Sequence, residues 1–163
     1  MKRILLLLII LSMFCLPLFA EDTEDSPWNI YAEIDMYMAY KMGIKYEIND
    51  RFDFVSSFGI NLIENTQYAY SMYASYHTMS NYDKLKVSVN FGIIQGVFDN
   101  TTTEYDHYIY INPGVTMHIS YPIGNRVRIG AQGGMVIMIG FDQNTWGSSL
   151  EPYVGLTFVF AEK

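Results

Sequence analysis

The sequence predicts an all-β fold: an eight-stranded antiparallel up-and-down transmembrane β-barrel. Three observations predict it. Apolar residues recur at every second position through eight segments between residues 28 and 160, the spacing that lines one face of a strand. That face carries no charged residue in any segment, whereas the opposite face holds every charge within the strands. Turn-forming clusters separate the segments, and no heptad or helical periodicity competes with them.

The chain has 163 residues and a formal net charge of −7. Its start, Met1-Lys2-Arg3 followed by an apolar run to Phe14 and then Pro17 to Ala20, has the layout of a secretory signal peptide. The run is too short for a membrane-spanning helix. Residues 1–20 are therefore expected to be removed, residues 21–27 to form an acidic tail, and residues 28–163 to form the barrel domain. Cys15 lacks the small preceding residue that a lipidation site wants, since Phe14 stands there. It is the only cysteine, so the mature chain has neither a disulfide nor a thiolate metal site. Cleavage removes two of the ten basic residues and none of the 17 acidic ones, which takes the charge to −9. Such a surface is unsuited to nucleic acid.

The strands are expected at 28–36, 39–48, 51–63, 67–79, 84–98, 107–122, 126–141 and 150–160. Fourteen tyrosines and ten phenylalanines favour this state. Short breaks at 49–50, 80–83 and 124–125 alternate with mostly longer ones at 99–106 and 142–149, although 64–66 is brief. The first boundary is inferred from length. Apolar even positions run unbroken from Trp28 to Ile48, whereas about 9–11 tilted residues cross a membrane. A three-residue turn near Tyr37 keeps the parity.

The apolar face opens with Trp28, Ile30, Ala32, Ile34 and Met36, and closes with Val154, Leu156, Phe158 and Phe160. The other face holds Glu33, Asp35, Lys41, Lys45, Glu47, Arg51, Asp53, Lys84, Lys86, Arg126, Arg128 and Glu151. Seven of these are basic and five acidic, so the face nearly neutralises itself. Nine of the twelve glycines share it. A soluble lipocalin-like barrel binding an apolar ligand would show the same alternation with the faces exchanged. Two features favour apolar outside. So many bulky Tyr, Phe, Ile and Met side chains would overfill an eight-stranded interior, and glycines belong on the crowded side. The inner charges Glu33, Asp35, Lys41, Lys45, Glu47, Arg51, Asp53, Arg126 and Arg128 are then expected to fill the lumen as an ion network. Aromatic residues gather towards both ends of the strands, as interfacial girdles do.

The segment Tyr153-x-Gly155-x-x-Phe158-x-Phe160 resembles the C-terminal β-signal by which bacterial outer-membrane proteins are read by the barrel-assembly machinery. It departs from that pattern in its first residue, Tyr153, and in the three residues after Phe160. With the strand–turn–strand of Met42 to Phe52, it makes the chain similar to the small eight-stranded outer-membrane barrels, the OmpX/Ail and OmpA-barrel families. The resemblance implies an outer-membrane location, contact with outer-membrane lipid, and a structural or surface-interaction role with loops outside. It names no surface ligand.

Chemistry is hard to place on this chain. His118-Ile119-Ser120 resembles the His-x-Ser pair of an outer-membrane lipid A deacylase family, but it falls beside the short 124–125 turn with no Glu placed to serve it. His77 and His107 fall near opposite strand ends, which disfavours a shared metal. Glu33 and Asp35 face Lys41 and Lys45 on the next strand as simple ion partners. The 99–106 loop lacks the spacing of a calcium loop. The expectation is no enzyme, no cofactor and no metal, and a lumen filled by side chains.

Overall fold

A computed structural model describes residues 27–36, 39–61, 67–79, 84–99, 109–124, 126–141 and 146–160. Its strands are β1 (Trp28–Asp35), β2 (Ala39–Asn49), β3 (Phe52–Asn61), β4 (Gln67–Met79), β5 (Lys86–Asp99), β6 (Ile109–Ile123), β7 (Val127–Phe141) and β8 (Trp146–Phe160). Each pairs antiparallel with the next, and β1 closes on β8 from Ile30↔Phe160 to Asp35↔Gly155. Closure removes the free edges that would otherwise recruit other chains. The expected signal segment, Tyr37, His107 and the 99–106 loop beyond Asp99 lie outside the described residues.

Up-and-down order puts the chain entry at Trp28, the exit at Phe160 and the β2–β3, β4–β5 and β6–β7 connections at one end, here the turn end. Asn49 builds the first of these connections. Its Oδ1 accepts from the backbone N–H groups of Arg51 (2.9 Å) and Phe52 (3.1 Å), the Asx geometry that reverses a chain locally. Gly124 turns the β6–β7 connection with φ +70°, a backbone region glycine enters at no steric cost. The other four connections lie at the loop end.

Two features differ from the sequence reading. First, β8 begins at Trp146 rather than at 150, taking residues expected in the loop. Gly140↔Gly147 and Phe141↔Trp146 continue the β7–β8 ladder, and an available partner edge overrides the turn-like composition of Gly147-Ser148-Ser149. Second, the alternation slips within β5. The register shifts between Ile93 and Gln95, and both Ile94 and Gln95 are buried, at 0% and 1% exposure. This β-bulge reverses the faces beyond it. Gly96, expected on the inner face, turns outward, where the Tyr70 ring lies over it and stacks on Phe98 at 5.1 Å.

Elsewhere the two faces separate as the period of two requires. Phe58, Val115, Met117, Ile137 and Val154 stand exposed on the outside, as do most large apolar residues of that alternation. Ring pairs mark both ends of this surface. Trp28–Tyr46 and Phe52–Tyr76 lie at the turn end, and Phe58–Tyr68 and Tyr70–Phe98 towards the loop end. The inside is close-packed. Tyr31, Val55, Tyr73, Ile94, Val136, Tyr153 and Val159 form a buried apolar cluster, and Glu33, Asp35, Lys41, Lys45, Asp53, Arg128 and Gln132 are buried among the polar residues.

Strand β3 approaches β2 so closely that glycine is required. A Cβ on Gly59 would lie 1.7 Å from the carbonyl oxygen of Tyr40, and one on Gly43 would lie 1.9 Å from that of Ser56. The expected outcome is that Gly59→Ala loses about 1–3 kcal/mol through overpacking. Gly147→Ala, with nothing within 4 Å, should stay within about 0.5 kcal/mol. Urea unfolding of both variants in detergent measures the difference.

Candidate functional site: the polar lumen

Inward positions of β1 begin the site. Asn29, Tyr31, Glu33 and Asp35 alternate into the lumen, and pairing sets Glu33 opposite Lys41 on β2 and Thr157 on β8. Lys41 is fully buried, with Nζ 3.5 Å from Glu33 Oε2 and 3.3 Å from Asp35 Oδ2. It also donates to Ser71 Oγ at 2.8 Å and to the Tyr153 hydroxyl at 3.2 Å. A buried ammonium is tolerable only with such complete compensation.

The carboxylates are satisfied just as fully. Tyr153 and Gln132 donate to Glu33 Oε1, and Tyr31 donates to Oε2 at 3.2 Å. The Tyr31 and Tyr73 hydroxyls lie 2.7 Å apart. Asp35 accepts from Gln95 Nε2 at 2.8 Å and from the Ala39 backbone at 3.0 Å. Gln95 in turn accepts from Asn112 at 3.3 Å. Amides thus carry the network from the ion triad to the surrounding wall.

A second group sits nearer the turn end. Lys45 reaches Asp53 at 3.1 Å and Glu47 at 3.6 Å, and His77 Nε2 lies 2.5 Å from Asp53 Oδ2. Arg128, on the facing wall, donates to Ser120 Oγ at 3.3 Å and to the Lys84 carbonyl at 2.7 Å. A lumen cavity of about 20 Å³ remains between these groups, which is room for about one water molecule.

Of the nine charges expected in the lumen network, the structure brings Glu33, Asp35 and Lys41 into one cluster and Lys45, Glu47 and Asp53 into another. Arg128 holds the Ser120 hydroxyl and the Lys84 carbonyl on the facing wall. Arg51 and Arg126 are exposed at the turns; chain reversal carries both out of the strand alternation. Among the candidate signal residues, Tyr153 and Gly155 point inward. Phe158 and Phe160 fall on the outer alternation, where Phe160, flanked by Ile30 and Val127, is 4% exposed. Sequence reasoning missed His77, Gln95 and Gln132, and the lumen role of Tyr153. Uncharged polar side chains at inward positions were the available signal.

His118 and Ser120, the His-x-Ser pair of the sequence, both face the lumen near the turn end. His118 Nε2 lies 2.8 Å from Thr157 Oγ1 and its Nδ1 3.5 Å from Ser88 Oγ, whereas Ser120 accepts from Arg128. Among the described residues, no three His, Cys, Asp or Glu side chains are grouped to hold a metal ion.

The triad makes a quantitative prediction. Lys41→Met leaves two carboxylates facing each other and should cost about 3–5 kcal/mol, the penalty for orphaning a buried charge. Adding Glu33→Gln and Asp35→Asn to Lys41→Met should recover much of that loss. Refolding titrations of the single and triple variants measure the coupling.

No family model matches the chain, and no curated protein matches it. Solved structures do. The N-terminal β-barrel domain of Pseudomonas aeruginosa OprF superposes with a TM-score of 0.57 at 14% identity, covering 82% of this chain and 93% of that one. A de novo designed protein, TMB2.3, superposes with a TM-score of 0.55 at 9% identity, covering 86% of this chain and 99% of that one. At such identities the likeness is one of fold. The chain is a closed eight-stranded up-and-down barrel of the kind seen in the OprF N-terminal domain.

Proposed function

We propose that the protein is a small integral outer-membrane barrel with a structural or surface-interaction role, presenting its loop-end connections outside the cell. The observation that carries this reading is the outer surface. Large apolar side chains stand exposed at alternate positions around the closed sheet, far more than the scattered apolar residues of a soluble surface. A spanning sheet needs this surface outside and every backbone group paired. The lumen supports the same reading against an apolar-ligand carrier. It is lined by buried ions and amides, and its cavity at the turn end is water-sized. No enzymatic role is proposed.

The aromatic pairs at the two ends fit interfacial girdles. In this reading Tyr153, Gly155, Phe158 and Phe160 serve the assembly machinery before the strand is closed between β1 and β7. Tyr153 and Gly155 then pass to the lumen.

Cell fractionation tests the location: the protein should pellet with outer membranes and need detergent for release. Recovery in the soluble periplasmic fraction would contradict the proposal. Val154→Lys sharpens it. Val154 is 55% exposed, so in water the change should stay within about 0.5 kcal/mol. In a bilayer it should cost up to about 2–4 kcal/mol at the midplane. Phe160→Ala, by contrast, should reduce accumulation in the outer membrane more than refolded stability. Stability should fall by no more than about 1.5–3 kcal/mol, and equal losses in both would contradict the signal role.

A further inference from the structure

We propose that the turn-end rim of the barrel is a binding surface for the headgroups of anionic phospholipids in the leaflet on that side. Such a surface has meaning only for an inserted barrel, so the proposal rests on the membrane reading above. Each of the three turn-end connections carries one basic residue: Arg51 in 50–51, Lys84 in 80–85 and Arg126 in 124–126. All three are exposed. Set against Asp50 and Asp83 in the same connections, they leave these segments one charge positive. The loop-end connections, 36–38, 62–66, 100–108 and 142–145, contain no Lys or Arg and hold Glu64, Glu104, Asp106 and Asp142. Cations for a phosphate are thus offered at one end of the barrel only.

Their depth matches a headgroup. Phe52 follows Arg51 and pairs with Tyr76 at 5.0 Å. Leu85, exposed, follows Lys84, and the exposed Tyr121 and Ile123 precede Arg126. Aromatic rings of this kind sit at the headgroup level of a bilayer. The cations just beyond them meet the phosphates, with their stems along the apolar rim. Arg126 is also engaged within the protein, but a guanidinium carries five N–H donors and can hold a phosphate as well.

Lipid rather than free phosphate is the source, because the cations are spread and not gathered. Successive connections stand two strands apart, about 10 Å along the rim, so each cation reaches a separate headgroup beside lipid-facing side chains. Glu21, Asp22, Glu24 and Asp25 precede Trp28 and oppose an anionic surface. Attraction therefore comes from contact at the rim and not from the net charge of that end.

The probes are spin-labelled phosphatidylglycerol and phosphatidylcholine, each at trace level with the protein in phosphatidylcholine vesicles. A cation near an anionic surface favours it about fivefold. Averaged over a lipid shell only partly in contact with the rim, phosphatidylglycerol should associate about twofold more strongly than phosphatidylcholine. Arg51→Gln, Lys84→Gln and Arg126→Gln together should abolish the preference or reverse it. If that variant does not insert, the wild type in 1 M salt decides, since screening at about 3 Å should remove the preference. Inorganic phosphate at constant ionic strength should leave it unchanged. Equal association of the two lipids with the wild type, a preference that survives both the triple variant and high salt, or its loss to inorganic phosphate would overturn the inference. Absence of any motionally restricted lipid would instead remove the membrane reading itself, and this inference with it.

Discussion

The buried ammonium of Lys41 is the interaction on which the rest of this barrel depends. Taking it out of water is expensive, and two carboxylates at 3.3 and 3.5 Å offset that cost only because each is itself satisfied. Their hydrogen-bond partners come from around the wall. Glu33 and Asp35 lie on β1, Lys41 on β2, Ser71 on β4, Gln95 on β5, Gln132 on β7 and Tyr153 on β8. One charge cluster therefore ties six strands across the lumen, including both sides of the β1–β8 seam. A register slip of one residue would swing Glu33 or Lys41 to the outer face and orphan its partner. The apolar alternation opposes a one-residue slip as well, and the network adds a penalty to a two-residue slide, which keeps the faces but parts Lys41 from its carboxylates.

That constraint also sets the lumen's character. Ions and amides are threaded between Tyr31, Tyr73, Tyr153, Ile94 and Val136, so the interior is neither an oily ligand pocket nor an open aqueous channel. Eight strands enclose a space that side chains can fill. The bulge at Ile94 and Gln95 helps fill it, because two consecutive side chains enter where regular alternation would supply one. Gln95 is the residue that then reaches Asp35.

Much of this was legible in the sequence because an inside-out barrel writes its faces with a period of two. The strand number, the outer face and the pairing of Glu33 and Asp35 with Lys41 follow from parity and short turns, whereas Lys45, expected beside the same carboxylates, pairs with Asp53 and Glu47. The bulge was not legible. Ile94 and Gln95 interrupt the alternation by one residue, and Gly96 reads as an inner glycine until Tyr70 is seen to cover it. The start of β8 was hidden because Trp146-Gly147-Ser148-Ser149 has turn composition and becomes a strand only through its pairing with β7. His77 offers the sequence only an isolated imidazole, whereas in the fold it meets Asp53, a partner 24 residues away. Tyr153 belongs to a terminal motif in the sequence, and its contact with Glu33 spans 120 residues. Long-range side-chain contacts leave no local signature.

The proposed membrane location has a direct consequence on β8: Val154 and Leu156 would face lipid while Gly155 and Thr157 face the lumen. It can be measured directly, because Cys15 is the chain's single cysteine and cysteine scanning needs no background removal beyond it. Spin labels placed in turn at Val154, Gly155, Leu156 and Thr157 in reconstituted membranes would report collisions with oxygen, which dissolves in lipid, and with a water-soluble nickel chelate. The account predicts high oxygen and low nickel accessibility at Val154 and Leu156, and low accessibility to both at Gly155 and Thr157. Nickel access at Val154 and Leu156, or oxygen access greater at the odd positions, would contradict it.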